Sequence, residues 1–478
     1  MSFVFRRDGY SSLLGDNRWG FFPGVSAGWI FGREDFIKEA IPVMSFGKLR
    51  ASYGINGNAS GIGAYTLQGS YGSSNSNGSF NYNGNTSYLI TELPNPNLRW
   101  EKTATFEVGA DLSFFANRLN TNLTYYNRLT SDKYAALSFP TSTGFSSVTN
   151  NNGEFRNQGI EIELSGKIID SKDWTWSASG NIAFNKNKIV SLPDNGMERN
   201  RINAFQVYTG NGDEKKWVGG QQEGQEPGIL YLYQADGIYR SYDEIPANLV
   251  RKYGSRTYYG PEAWNKLTAE QQNATTNFPI QPGDTKFHDV NGDDVIDEFD
   301  KVKVGATSPR WTGGFNTTLR WKNFQLYGRF DYALGFWLYE NSGTQSTTPW
   351  FMGCYQGTYN TPTMYYDTWS ESNPNAKYPR YLFADQNGKN NYIASTMFAY
   401  RGDYLAIREI SLSYSLPESV AKMLKMQRAE VSITGQNLGY ITGAKNVGSP
   451  EANPKDNGAV GQGYSLPRTI LFGVNLTF

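Results

Sequence analysis

The last ten residues constrain the fold more than any other stretch. From Thr469 to Phe478, the residues Ile470, Phe472, Val474, Leu476 and Phe478 form an apolar row alternating with Leu471, Gly473, Asn475 and Thr477. That period of two reads as a β-strand. With Gly, Asn and Thr between its apolar positions, the strand is not buried on both faces, and a free apolar strand invites pairing with other chains. Closure resolves both problems. In a barrel the strand is paired at each edge and its apolar row faces lipid.

A chain of 478 residues makes about two to four ordinary soluble domains or one large barrel. Hydrophobic residues are only 38% and the mean hydropathy is -0.55, yet aromatics reach 15% and glycine 51 residues. This balance suits many two-faced strands with aromatic girdles and glycine turns. Spanning helices are excluded, because no run approaches the roughly 20 apolar residues one requires. Lys and Arg (44) balance Asp and Glu (44), so no broad basic field recommends nucleic acid as a partner. One cysteine, Cys354, forms no intrachain disulfide, and His288 is the only histidine, which leaves no Cys/His metal site and no Ser/His/Asp set. Cys354 reads as a neutral loop residue and His288 as a solvated one.

Met1 leads directly into Phe3, Val4, Phe5, Arg6 and Arg7, which already resembles strand and lacks the charged leader and apolar core of a signal peptide. The expectation is the C-terminal part of a longer protein, entered in mid-barrel. About twelve strands follow along the chain. After the opening one come Trp19 to Gly32 and Lys48 to Ile55, with a mildly helical link at 34–45. A polar tract near 56–97 reads as a long loop. The pattern then sharpens: Ala104 to Phe114, Leu119 to Ser138, Phe155 to Asp170 and Trp174 to Leu192. It resumes at Trp311 to Trp321 and Phe324 to Phe336, and ends with Tyr404 to Leu416, Ala429 to Ile441 and Thr469 to Phe478.

The connections alternate. Links at 58–98, 139–153, 193–308, 341–396 and 443–466 are long, and those at 117–118, 171–173, 322–323 and 417–426 are short. Outer-membrane barrels show this parity, with short periplasmic turns and long extracellular loops, which puts Phe478 at the periplasmic end. The first pair breaks the rule, since the link at 11–18 is shorter than the helical one at 33–46. The fold class is therefore all-β, a transmembrane antiparallel barrel. A pair of soluble sandwiches is the alternative, but sandwiches seldom sustain strands this long or gather every large insertion on one parity.

One local motif points to a ligand. Asp289, Asn291, Asp293, Asp297 and Asp300 stand at positions 1, 3, 5, 9 and 12 of a twelve-residue run, with the Val295 carbonyl at 7, the spacing of a calcium loop. Asp294 replaces the usual glycine at position 6, and Asp300 is shorter than the usual Glu. Two readings stand: a structural Ca2+ of weak, extracellular-type affinity that stiffens the 193–308 loop, or an acidic Asx-turn held by its own backbone bonds. Aromatic clusters also fall in the long loops, Tyr231, Tyr233, Tyr239, Tyr258, Tyr259 and Trp264, then Trp350, Phe351, Tyr355, Tyr359, Tyr365, Tyr366 and Trp369. They suit stacking on sugars or peptides, or packing of the loops on one another. Glu161 and Glu163 lie on one side of one strand, which fits a polar barrel interior and not a glycosidase pair. No enzymatic chemistry emerges.

Several blocks together resemble the SusC/RagA-type TonB-dependent outer-membrane transporters. They are Asp16-Asn17-Arg18-Trp19-Gly20-Phe21-Phe22-Pro23 with Ser26-Ala27-Gly28-Trp29, Leu49-Arg50-Ala51-Ser52-Tyr53-Gly54, Asn95-Pro96-Asn97-Leu98-Arg99-Trp100-Glu101 and Asn157-Gln158-Gly159-Ile160-Glu161. Gly283-Asp284, Leu405 to Pro417, Gly435-Gln436-Asn437-Leu438 and Leu466-Pro467-Arg468 complete the set. The resemblance implies a plugged barrel of about 22 strands, of which these twelve are the second half. The plug, TonB box and signal peptide lie outside this chain. It also implies uptake of oligosaccharide or peptide, a SusD-like lipoprotein over the outer mouth, TonB acting through the missing N-terminal region, and outer-membrane lipid around the wall. A passive barrel or surface glycan-binding protein without energised transport is the alternative.

Overall fold

The computed structural model describes all residues except 64, 76–77, 80, 146, 341–366, 381–392, 445–448, 452–458 and 461–465. Its frame is one antiparallel sheet of twelve strands in which each strand pairs with its neighbour along the chain. These are β1 (Ser2–Gly9), β2 (Trp19–Trp29), β3 (Met44–Asn58), β4 (Glu101–Phe114), β5 (Leu119–Ser138) and β6 (Ser147–Asp170), followed by β7 (Trp174–Ser191), β8 (Trp311–Trp321), β9 (Phe324–Leu334), β10 (Tyr404–Ser415), β11 (Arg428–Thr442) and β12 (Thr469–Thr477). Within the described residues β1 pairs only with β2 and β12 only with β11. The final strand therefore keeps one edge unpaired in this chain, and the sheet retains two edges for closure.

The expected apolar rows meet in register. Trp176, Leu319, Leu326, Leu412, Ile433 and Phe472 are successive partners across six strands. Nearer the short turns runs a second belt, Trp174, Trp321, Phe324, Tyr414, Val431 and Val474. Its rings touch in sequence, with centroids 5.7 Å apart for Trp174–Trp321, 6.0 Å for Trp321–Phe324 and 4.6 Å for Phe324–Tyr414. Phe472 keeps 81% and Val474 70% of its surface uncovered by protein. Such side chains gain by leaving water for hydrocarbon, so the belts form the lipid-facing side of the wall.

The opposite face is polar and internally bonded. Arg50 reaches across two strands to Asp111 at 3.2 Å and Asn122 at 2.8 Å. Arg128 meets Glu107 at 3.3 Å, and Ser179 donates to Asn316 at 3.0 Å. Glu161 and Glu163 fall on this face, opposite Thr124 and Asn122. A pair of glycosidase carboxylates would flank a bond from two sides; these two line one wall.

Several strand ends differ from the sequence reading: β3, expected at Lys48–Ile55, runs Met44–Asn58, and β4 begins at Glu101 and not Ala104. β6 begins at Ser147, eight residues before Phe155, so the expected link at 139–153 shrinks to 139–146. Asn150 and Asn151 carry no apolar alternation, yet their backbone pairs with Ala135 and Tyr134. Above the lipid a strand needs its ladder but no greasy face. At β2 the strand stops at Trp29 and a tight turn, Phe31–Arg33, precedes the helix Asp35–Ala40.

Candidate functional site

The four longest connections, 59–100, 192–310, 335–403 and 443–468, rise from the end of the sheet opposite the short turns. Residues 193–308, expected to lack sustained alternation, fall within a small body of short strands at 192–310. Asn277–Pro279, Arg256–Tyr259, Val250–Tyr253 and Val295–Ile296 make one four-stranded sheet, and Ile229–Tyr233 pairs with Lys301–Ala306. Tyr233, Tyr239, Leu249, Tyr258, Phe287 and Ile296 are buried in its core. Three of the six aromatics singled out in this loop are thus interior, where they pack the loop and present no ring to a ligand. Trp369 is described and seals a joint; Trp350, Phe351, Tyr355, Tyr359, Tyr365, Tyr366 and Cys354 lie outside the described residues. His288 is half exposed, with Nδ1 3.1 Å from Asp236.

The joint binds this body to the connection that follows β9. Asp284 is fully buried, and its carboxylate accepts from Arg380 Nε at 2.8 Å and from the Gln281 amide at 3.0 Å. Arg380 also donates to Gln281 Oε1 at 2.7 Å and, through its backbone N–H, to the Gly283 carbonyl at 2.8 Å. Gly283 sits at φ +88°, and a Cβ there would lie 2.5 Å from the Trp369 ring. Only glycine combines that backbone with that approach. Ile393 completes the core from the same connection, so its described residues pack with the 192–310 body as one unit.

The acidic loop lies on its flank. Asp289 accepts from the amides of Gly292 and Asp294, both at 2.8 Å, Asp293 from Val295 at 2.8 Å and Asp297 from Phe299 at 2.9 Å. Asp300 is buried and holds the amides of Val290 at 2.9 Å and Asp297 at 2.7 Å. Burial, reinforced by Asp297 and Asp289, outweighs those bonds and pushes its carboxyl up to about 6. Tyr208, buried beside the loop, is pushed up to about 12 by burial and by Asp297, Asp293, Asp300 and Asp213. The local field thus favours a cation. Asp294, in the glycine position, adopts φ 62°, the left-handed geometry expected there. Asn291 donates to Asp213 at 2.9 Å while its own Oδ1 is buried without a partner. Among the described residues no three Asp, Glu, His or Cys side chains converge at metal-holding distance. The oxygen donors suit a hard cation; the backbone bonds alone already hold the turn.

On the polar face of the wall, a concavity of about 540 Å³ is lined by Asp111, Asn122, Glu163, Asn181, Arg329 and Asp331. Beside it Arg408 donates to Asp331 at 2.7 Å and to Glu451, and Tyr440 donates to Glu451 at 3.0 Å. Glu451 belongs to the last long connection, so this cluster ties that loop to the wall. A β-bulge between Ile407 and Glu409 aims Arg408 there. Sequence reading missed it, although the signal was present: Ile407 and Ile410 are three apart in a strand of period two.

The family model described as "TonB dependent receptor-like, beta-barrel" matches residues 5–250, just over half of the chain. TonB-dependent receptor P3 of Formosa agariphila is 29% identical over 486 residues, covering 100% of this chain and 44% of that protein. TonB-dependent receptor SusC of Bacteroides thetaiotaomicron is 26% identical over 493 residues, covering 100% of this chain and 42% of that protein. The chain thus spans less than half the length of the curated relatives it matches. In fold it is similar to a solved structure described as the RagAB peptide transporter, with a TM-score of 0.69 and 22% identity over 100% of this chain and 45% of that one. A twelve-stranded meander with lipid-facing belts, and a family match that begins in its first strand, agree: this chain belongs to the TonB-dependent receptor-like β-barrel family of the Gram-negative outer membrane, a family of transporters and not of enzymes.

Proposed function

We propose that the whole protein imports an oligosaccharide or a peptide across the outer membrane, energised through TonB, with a SusD-like lipoprotein over its outer mouth. In this reading the long loops are extracellular, Phe478 lies at the periplasmic end, and the chain supplies binding and enclosure with no covalent step. The observation that carries it is sidedness. Every connection longer than the 30–43 link stands at one end of a polar-lined wall, and the two longest are joined through Asp284 and Arg380 into a body placed to close over a solute. The RagAB structure is described as that of a peptide transporter, which favours peptide among the two substrate classes. The test is uptake of labelled oligosaccharide and peptide pools by cells carrying the full-length protein. Accumulation should fall to background when TonB is deleted. Accumulation that persists without TonB would establish a passive pore instead.

We propose further that the acidic loop holds one structural Ca2+, with Asp289, Asn291, Asp293, Asp297, Asp300 and the Val295 carbonyl as its donors. The unpartnered Asn291 Oδ1 and the left-handed Asp294 support this assignment. A bound Ca2+ supplies charge neutralisation among four carboxylates; the chain's own backbone bonds set the turn. Calorimetric titration should show binding in the range of about 10⁻⁴ to 10⁻³ M. Ca2+ should slow protease cleavage within residues 193–308, and Asp293→Ala should abolish that protection. No heat at millimolar Ca2+, with cleavage unchanged by the substitution, would leave the Asx-turn reading.

A further inference from the structure

The link between β2 and β3, residues 30–43, is the longest connection at the short-turn end, and the transport reading gives it no task. Its course explains its length. Trp29 is the register partner of Leu49, which lies in the lipid-facing row of β3. The chain then turns outward: the Trp29 and Phe31 rings are 5.9 Å apart, and a Cβ on Gly47 would meet Phe31 at 2.7 Å and the Met44 sulfur at 2.8 Å. Gly47 is the partner of Leu112, again in the lipid-facing row. The link therefore folds over the outside of the wall and not across the lumen. Its backbone comes so close that a Cβ on Gly32 would lie 2.5 Å from the Gly47 nitrogen.

Beyond that contact the link carries apolar residues with no protein over them. Phe36 is 60% exposed, Val43 48% and Ile41 37%. Arg33 and Lys38 flank them, Lys38 paired to Asp35 at 3.0 Å. Across residues 30–43, whose helix is Asp35–Ala40, aromatic and aliphatic side chains stand beside Arg33 and Lys38 and the carboxylates Glu34, Asp35 and Glu39, an amphipathic mixture that suits the boundary between headgroups and acyl chains. The patch is continuous with the lipid-facing surface through Trp29, Phe31 and Leu49.

We propose that residues 30–43 are an interfacial foot, with Phe36, Ile41 and Val43 inserted into the periplasmic leaflet and Arg33 and Lys38 among its phosphates. The occupant of this surface is phospholipid. The inference rests on the barrel orientation proposed above. The foot fixes the depth of this side of the wall.

The test is site-directed spin labelling of the full-length protein in phosphatidylethanolamine/phosphatidylglycerol vesicles, in a Cys354→Ser background. Labels are placed by Phe36→Cys, Val43→Cys, Glu39→Cys and, on the wall, Leu412→Cys. Accessibility to oxygen and to a water-soluble nickel chelate then reports depth. Labels at 36 and 43 should lie about 5–10 Å below the headgroup surface, with nickel access several-fold lower than at 39. Water-like access at 36 and 43 would overturn the foot, and so would shielding from both reagents, which means cover by protein. The label at 412 separates the two readings: lipid exposure there with water at 36 rejects the foot alone, and water at 412 rejects the wall orientation itself.

Discussion

Replacing Asp284 by alanine is expected to separate the two long outer connections and to destabilise the body they form by about 3 kcal/mol, the lower end of the range for breaking one side of a buried ion pair. Asp284 has no contact with water, and its carboxylate is the principal anion for Arg380. Without it the guanidinium retains Gln281 Oε1 at 2.7 Å, and its side chain is 20% exposed, so water relieves part of the loss. The Gln281 amide loses its acceptor as well. Asp284→Asn keeps an oxygen in place and should cost less than Asp284→Ala. Asp243→Ala, at an exposed position of the same body, should change almost nothing. Limited proteolysis of the full-length protein in micelles reads the difference, as new cleavage on both sides of the joint. If the Asp284→Ala loops resist protease as the parent does, the two connections are held by their shared apolar core alone. Under the import role proposed above, uptake should fall with loop integrity, because a body that is to close over solute must move as one piece.

The wall was legible in the sequence to a degree that the loops were not. Along β8 and β9, Trp311, Gly313, Phe315, Thr317, Leu319 and Trp321 turn through Lys322 and Asn323 into Phe324 and Leu326. The pairing of Trp321 with Phe324 and Leu319 with Leu326 follows from that tight turn and the period alone. Lipid imposes this legibility, since each segment must satisfy its backbone and show alternate residues to hydrocarbon. Where lipid ends, the signal ends. The Asn-rich start of β6 pairs like any strand yet reads as loop. The body at 192–310 is built from strands of two to six residues, too short for periodicity to declare. Its core mixes residues separated by more than a hundred positions, such as Tyr258 and Ile393. Gly283-Asp284 was visible as a family block, but its partner Arg380 lies 96 residues away, and no local pattern pairs them. The acidic loop stands between these cases. Its spacing was complete in twelve residues, whereas Asp213, which accepts from Asn291, belongs to a different hairpin.

Leu412 and Ser413 are neighbours in β10 and face opposite sides of the wall, so the same substitution at each should have opposed consequences. Leu412→Arg places a guanidinium in a belt whose register partners are Leu326 and Ile433. Protein leaves 45% of Leu412 uncovered; in the membrane, hydrocarbon takes up that surface. The expected loss is about 2–4 kcal/mol if the residue sits near the bilayer midplane, less toward the interface. Ser413→Arg puts the same group opposite Gln325 and Ser432 on the polar side, where water and neighbouring acceptors solvate it, and the expected change is within about 0.5 kcal/mol. Urea unfolding of the full-length protein in phospholipid vesicles measures both. Moving the pair into a thinner bilayer should reduce the Leu412→Arg penalty and leave Ser413→Arg unchanged, because only the first depends on hydrocarbon depth. Equal penalties at the two sites would mean that both faces of β10 are covered by protein, the arrangement of two stacked sheets in water. A larger penalty at Ser413 would reverse the assignment of faces, placing Glu161, Glu163 and the Arg50 network against lipid, where unpaired charge is costly. The penalty is therefore expected to change only with the face, along a strand whose two sides differ in nothing but which solvent they meet.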